Sequence, residues 1–172
     1  MSLAEISESA AAVAADLDQR LITVSGRPDP RRLDSELYPI HVESRSRYGD
    51  MDPNAHLNNL ALESFHEDAR ATANRLAFPV EGRTLRYVVS QHTVHFLTEV
   101  FWPSTIRTGI GVGRLGRTSF VMSSGSFVDG RCVSLCDTVM VALDDDGPHV
   151  LTDSERAQLS RHRLGAPHVD LS

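Results

Sequence analysis

Along the main part of this chain, one long stretch of helical repeat is followed by a succession of strand-period segments. That order restricts the fold more than any other feature. Residues 58–77 put Ala61, Phe65, Ala69, Ala73 and Leu76 on one stripe, which predicts a helix about 30 Å long at ~1.5 Å per residue. The stripe is mostly alanine, so other backbone can approach it closely, and the helix is expected to lie against a sheet. Pro79 and Gly82 end it. Before it, residues 39–48 alternate Ile40, Val42 and Ser44 with His41, Glu43 and Arg45, the period of a strand. After it come strand patterns at residues 87–101 (stopped at Pro103), 105–113, 118–128 and 131–143. Asp129 and Gly130 form a type I′ hairpin signal between the last two. In the final run Val133, Leu135, Val139, Val141 and Leu143 are expected on one face, and residues 144–148 close the sheet. Thr152 and Glu155 are spaced to cap a short last helix. One long helix cannot cover both faces of a five-stranded antiparallel sheet. The economical solution is an α+β domain whose sheet curls around the helix, leaving an edge or face for a partner.

The flanks read differently. Leu3, Ile6, Ala10, Val13, Leu17 and Leu21 form an apolar helical stripe, with Ser2 and Glu5 at capping-box spacing. Gly26, Pro28 and Pro30 then break the chain. The expected division is an amphipathic helix and linker over 1–35, the main domain over 36–163 and a loose tail over 164–172. With 172 residues and 41% hydrophobic side chains, the main domain can bury a real core. All 17 basic residues are arginine, against 23 acids and a net charge of -6. No basic stripe exists to grip nucleic acid, and without lysine there is no side-chain amine for Schiff-base chemistry. No apolar run approaches the ~20 residues of a membrane span. Glu5, Glu8, Asp16 and Asp18 interrupt the first 22 residues, unlike a signal peptide. Cys132 and Cys136 would lie about 13 Å apart along a strand, beyond the roughly 7 Å limit of a disulfide. Reduced cysteines fit a cytoplasmic location.

Two motifs lead away from the chemistry. Gly111, Gly113 and Gly116 satisfy GxGxxG, but a dinucleotide fingerprint needs a helix to follow, and residues 118–128 read as strand. These glycines are assigned to a tight turn and strand bending, and NAD is rejected. Eight histidines invite a metal hypothesis. His92 and His95 are three apart in a strand and point to opposite faces. Glu63 and His66 form a single helical pair where a di-iron bundle needs two. The histidines are expected to be solvated or singly hydrogen-bonded, with no metal.

The remaining cluster carries the chemistry. Tyr48, Gly49, Asp50, Asp52, Pro53, Asn54, His56, Asn58 and Asn59 join a strand to the start of the long helix. Aspartate and asparagine there are ordinary turn and N-cap residues. The same place also offers unpaired amides and the positive end of a helix dipole. A carbonyl seated on those amides would have its developing oxyanion stabilised. A nearby carboxylate would attack it or activate water.

This cluster resembles the 4-hydroxybenzoyl-CoA thioesterase/YbgC-like branch of the hotdog acyl-CoA thioesterases. The shared pattern is Tyr48-Gly49-Asp50-x-Asp52, then His56-x-Asn58-Asn59, then Glu67-x-Ala69-Arg70, over about residues 39–143. The resemblance implies hydrolysis of an acyl-CoA or acyl-carrier-protein thioester by a homodimer, which could pair further into a tetramer. CoA would enter as part of the substrate, with no separate cofactor. It implies Asp52 as the catalytic carboxylate and the backbone N–H of Asn59 as the oxyanion contact. His56 and Asn58 would order the loop or line the site, and Asp50 and Tyr48 would support it. Glu67 and Arg70 would be structural partners. Arg114 and Arg117 flank the turn where the family approaches CoA, and guanidinium forks suit its phosphates.

Two departures stand out. Ala55 occupies the family's glycine position, and Leu60, Ala61 and Leu62 replace a stretch that usually carries an aromatic. Two alternatives remain open at this stage: a non-catalytic acyl-CoA-sensing domain, and an enoyl-CoA hydratase. The latter needs Asp-x-Asn-Pro-x-His, and Asp50 to His56 is one residue too long for it.

Overall fold

The computed structural model describes residues 27–77 and 85–169. The amphipathic helix expected at residues 1–22 lies outside the described residues. The elements are β1 (Ile40–Arg45), α1 (Asn59–Ala77), β2 (Arg86–Phe96), β3 (Thr105–Leu115), β4 (Ser119–Val128), β5 (Arg131–Asp144), β6 (Gly147–Pro148) and α2 (Asp153–Ser160). Short 3-10 turns precede β1 and connect it to α1. The strands are antiparallel in the order β1-β3-β4-β5-β2, with β6 paired to the end of β5. α1 lies across β1, β3 and β4. This is the α+β hotdog arrangement.

Alanines set the helix down on the sheet. Ala69, Ala73 and Ala77 pack against Ile40, Ile110, Val112, Phe120 and Met140. Nearer its N-terminus, Leu62 and Phe65 join Leu57, Val100, Ile106 and Val133 in a second cluster. The hairpin between β4 and β5 has positive φ at both Asp129 and Gly130, as a type I′ turn requires. Thr152 and Glu155 cap α2 reciprocally, and Leu159 of α2 reaches the core.

Several expectations change, beginning with the α1 stripe, where Leu76 is exposed and Ala77 is buried in its place. β2 stops at Phe96 instead of running to 101, because the amides of Leu97 and Thr98 both turn to the carbonyl of Val133, at 2.9 and 3.3 Å. Val133 is the extra residue of a bulge between the Ser126–Ser134 and Phe127–Cys132 pairs. The bulge also splits the face expected for β5. Val133 packs with the α1 cluster, whereas Leu135 packs with Tyr38 and Phe127 on the other side of the sheet. Met140 and Ala142 take the helix-facing positions farther along. Finally, residues 164–169 are docked rather than loose. Leu164, Gly165 and Val169 donate their amides to the carbonyls of Val112, Leu37 and Pro39 at 3.0, 2.7 and 2.7 Å. Gly111, one of the three decoy glycines, makes room for this segment: a Cβ there would lie 2.8 Å from Leu164 Cδ2.

The convex face is therefore partly covered by the chain itself. Tyr38 lies over Gly109, where a Cβ would come within 2.7 Å of the tyrosine Cβ. Beside it the buried Arg32 donates Nη1 to Asp137 Oδ2 at 2.9 Å and Nη2 to the carbonyls of Ser124 and Cys136. Asp137 also accepts from Ser123 Oγ at 2.6 Å. An ion pair this deep is tolerated because hydrogen bonds replace much of the lost hydration.

His66 departs from the expectation of a solvated or singly bonded ring. It is buried under α1, with Nδ1 2.8 Å from Ser124 Oγ and Nε2 2.8 Å from Ser134 Oγ. Burial disfavours the charged ring and holds its pKa down at about 3, with positive neighbours His92, Arg32 and Arg70 adding to the effect. Both cysteines are buried and free.

Replacing Arg32 with methionine leaves the buried Asp137 charge without its guanidinium and should cost about 3 kcal/mol in urea unfolding at pH 7. His66 takes up its proton readily only when unfolded. Stability should therefore fall as pH drops from the ordinary histidine value of 6.5 towards about 3. His66→Gln should flatten that slope in denaturation midpoints measured across the same range.

Candidate active site

The segment after β1 is tied down at both ends. Ser46 donates its amide to the Ser104 carbonyl at 3.0 Å and accepts the Ser104 amide on Oγ at 2.8 Å. Asp50, the more buried acid, is used internally: Oδ2 accepts the Arg47 amide at 2.7 Å and Oδ1 the Arg47 guanidinium at 3.1 Å. Its carbonyl accepts the Asn58 amide at 2.9 Å. Tyr48 is exposed, edge-on to Trp102. Asp50 is thus a strut for the turn.

Asp52 closes the next loop. Its amide donates to the His56 carbonyl at 2.9 Å, and its carbonyl accepts from Ala55 at 3.0 Å. Its carboxylate accepts the Asn54 amide at 2.8 Å and the Asn54 side-chain amide at 3.3 Å. Oδ2 also stands 3.4 Å from Nδ1 of His56, and the side chain keeps 21% exposure. Ala55 adopts φ 66, the left-handed region where the resembling family has glycine.

Asn58 is the N-cap of α1: its Oδ1 accepts the Ala61 amide at 2.8 Å and its carbonyl the Leu62 amide at 3.2 Å. The amides of Asn59 and Leu60 find no acceptor among the described residues. Asn59 lines a cleft of about 240 Å³ together with His56, Leu57, Leu62, Phe96, Leu97, Thr98 and Glu99. Asp52 is not among the residues lining it, whereas its neighbour His56 is. Asp52, His56, Asn58 and Asn59 are therefore brought together. Arg114 and Arg117 are not. They lie near the far end of β3, about 30 Å along the strand from Thr105, while the loop holding Asp52 follows the other end.

Glu67 and Arg70 form an ion pair at 3.3 Å. With Leu60, Glu63, Ser64, Val89 and His92 they line a second cleft of about 360 Å³ between α1 and β2. No group of three or more His, Cys, Asp or Glu side chains among the described residues is arranged to hold a metal ion. The sequence pattern missed the wall formed by residues 96–99, because the strand period runs on through Phe96 and Leu97. Polar Thr98 and Glu99 before Val100 were the available sign of a break.

Alanine in the left-handed region carries steric strain that glycine lacks, offset in part by the greater freedom glycine loses on folding. Ala55→Gly should raise stability by about 0.5–1 kcal/mol, read as a higher Tm.

No protein-family model matches the chain, and no curated protein matches its sequence. Solved structures do resemble it. The PA5185 protein from Pseudomonas aeruginosa strain PAO1 is 22% identical, covering 78% of this chain and 99% of that one, with TM-score 0.67. A thioesterase from Thermus thermophilus, complexed with coenzyme A and Zn, is 26% identical over 71% of this chain and 98% of its own, with TM-score 0.64. A thioesterase-superfamily protein from Jannaschia sp. CCS1 is 22% identical over 75% and 85%, with TM-score 0.65. Structural neighbours of the chain are thus named as thioesterases, and the fold it shares with them is the hotdog fold.

Proposed function

We propose that this protein hydrolyses an acyl thioester of CoA or of an acyl carrier protein, in the manner of the 4-hydroxybenzoyl-CoA thioesterase/YbgC-like branch. The main support is one juxtaposition: His56, backed by Asp52 at 3.4 Å, shares a cleft with the unpaired amide end of α1. The CoA complex of the Thermus thermophilus thioesterase, on the same fold, supports CoA as the thiol carrier.

The thioester carbonyl oxygen would sit on the Asn59 amide, where the dipole and free N–H favour negative charge. Leu57, Leu62, Phe96 and Leu97 offer apolar wall to the acyl group. The Leu57 carbonyl and the Asp52 carboxylate, each 3.4 Å from Nδ1 of His56, orient the ring so that Nε2 takes a proton from water as the water oxygen attacks the carbonyl carbon. The tetrahedral intermediate collapses by breaking the C–S bond; the thiolate leaves and recovers the proton. Asn58 holds the helix end in place through its cap.

The functional unit in this proposal is a homodimer joined through the outer edge of β2, which has no strand partner among the described residues. Val89, Phe96 and Leu97 are exposed along or just beyond that strand, and an unpaired edge invites a second copy. Antiparallel pairing of two β2 strands reverses the partner's strand direction. The partner's Arg114 and the partner's Arg117 would then lie on the same side as the Asp52 loop, where they suit CoA phosphates.

Asp52→Asn keeps the acceptor oxygen for the Asn54 amide but removes the charge behind His56. It should lower kcat for acyl-CoA hydrolysis at least ~100-fold, the scale of a lost acid–base contribution, with the oligomer unchanged in sedimentation. Thiol release measured over a chain-length series of acyl-CoAs tests this. Undiminished activity in Asp52→Asn would remove the residue from the mechanism, and tight binding without turnover by the parent protein would favour a sensor.

A further inference from the structure

Among the residues lining the cleft at the helix start, Glu99 carries the one carboxylate. It sits across from His56, with Oε1 4.0 Å from Nε2, and its side chain is 68% exposed. Its backbone is nonetheless pinned on both sides. The preceding Thr98 donates its amide to the Val133 carbonyl, and the carbonyl of the following Val100 accepts the Leu57 amide at 2.7 Å. Val100 itself is buried in the cluster with Leu57, Leu62 and Phe65. Glu99 is therefore a charged side chain set on a fixed base beside the reacting end of the cleft. By contrast, both carboxylate oxygens of Asp52 already accept hydrogen bonds from Asn54, away from the cleft wall.

We propose that Glu99 is a second catalytic residue of this site, the acceptor that holds the attacking water against His56; this rests on the thioesterase reading above. The 4.0 Å gap between Nε2 and Oε1 is too long for a direct hydrogen bond. It suits a bridging molecule. One water about 2.8 Å from each atom would subtend an angle of about 90°, near enough to the water angle for both O–H groups to be used. One O–H then points to neutral His56 Nε2 and the other to the Glu99 carboxylate, leaving an oxygen lone pair for the carbonyl carbon on the Asn59 amide. As the C–O bond forms, the proton on the first O–H passes to Nε2. Glu99 keeps the second O–H hydrogen-bonded through the tetrahedral state, and the departing thiolate takes the proton back from His56. Neither an oxidant nor a metal enters this balance. An exposed carboxylate costs little to place here, and its charge also favours the imidazolium that forms opposite it.

The test uses the full chain and the acyl-CoA that the parent protein turns over fastest. Glu99→Gln keeps the size but weakens the acceptor, and should lower kcat at least ~30-fold with KM changed less than ~3-fold. Glu99→Asp should recover part of the loss, because it restores the charge at a shorter reach. Circular dichroism and sedimentation should be unchanged for both variants, since the side chain is exposed. Parent-like kcat in Glu99→Gln, alongside a strong defect in Asp52→Asn, would overturn the role of Glu99 and leave the thioesterase reading standing. A rise in KM with kcat preserved would also overturn it, reducing Glu99 to a binding contact. If the parent protein turns over no acyl thioester, both fall together.

Discussion

The closeness of α1 to the sheet governs most of what else this molecule can do. Ala69, Ala73 and Ala77 present almost no side chain, so the helix axis drops onto Ile40, Ile110, Val112 and Phe120 and the sheet curls around it. Larger residues on that stripe would lift the helix away from the strands. Because the helix is held low, its first turn comes level with the loops at the ends of β1 and β2. His56 of the Asp52 loop and residues 96–99 then line one cleft with Asn59 at the start of α1. Without that seating there would be a turn, a loop and a helix end, but no common cleft.

Two polar side chains buried on opposite sides of the sheet are met by specific partners. Beneath the helix, His66 spans Ser124 and Ser134, reaching from α1 to β4 and β5 at once. On the convex side, Arg32 carries the segment before β1 over the sheet and ends on Asp137. Leaving either group unpaired would be costly in so little water, so each arrangement favours a single packing. The convex surface is further occupied by Tyr38 and by the docked residues 164–169, while among the described residues the outer edge of β2 has no strand partner.

Some of this was legible in the sequence because it is local. The Asp129 and Gly130 turn and the Thr152–Glu155 cap each involve residues a few positions apart and appear where their spacing puts them; the α1 stripe does so from Ala61 to Ala73, but its expected last member Leu76 is exposed and Ala77 takes the buried place. The cluster from Asp50 to Asn59 was legible for the same reason: it is one continuous stretch, and its turn chemistry brings Asp52 beside His56. Turn preference alone did not tell the two acids apart, and it was the family resemblance that singled out Asp52. The fold gives the physical difference, committing Asp50 to Arg47 and setting Asp52 against the histidine.

Element order, the helix seat and the short loop that carries the candidate chemistry all follow from the order of residues along the chain. They depend on periodicity and turn preferences acting over a few positions. Which distant groups meet is a matter for the folded sheet: Arg32 with Asp137, His66 with two serines, Leu164 with Gly111, and Glu99 with His56. Such meetings depend on strand register and on where a bulge falls, as at Val133, and one residue of register exchanges the two faces of a strand. No local pattern encodes that choice, because it is settled by the packing of the whole sheet against its helix.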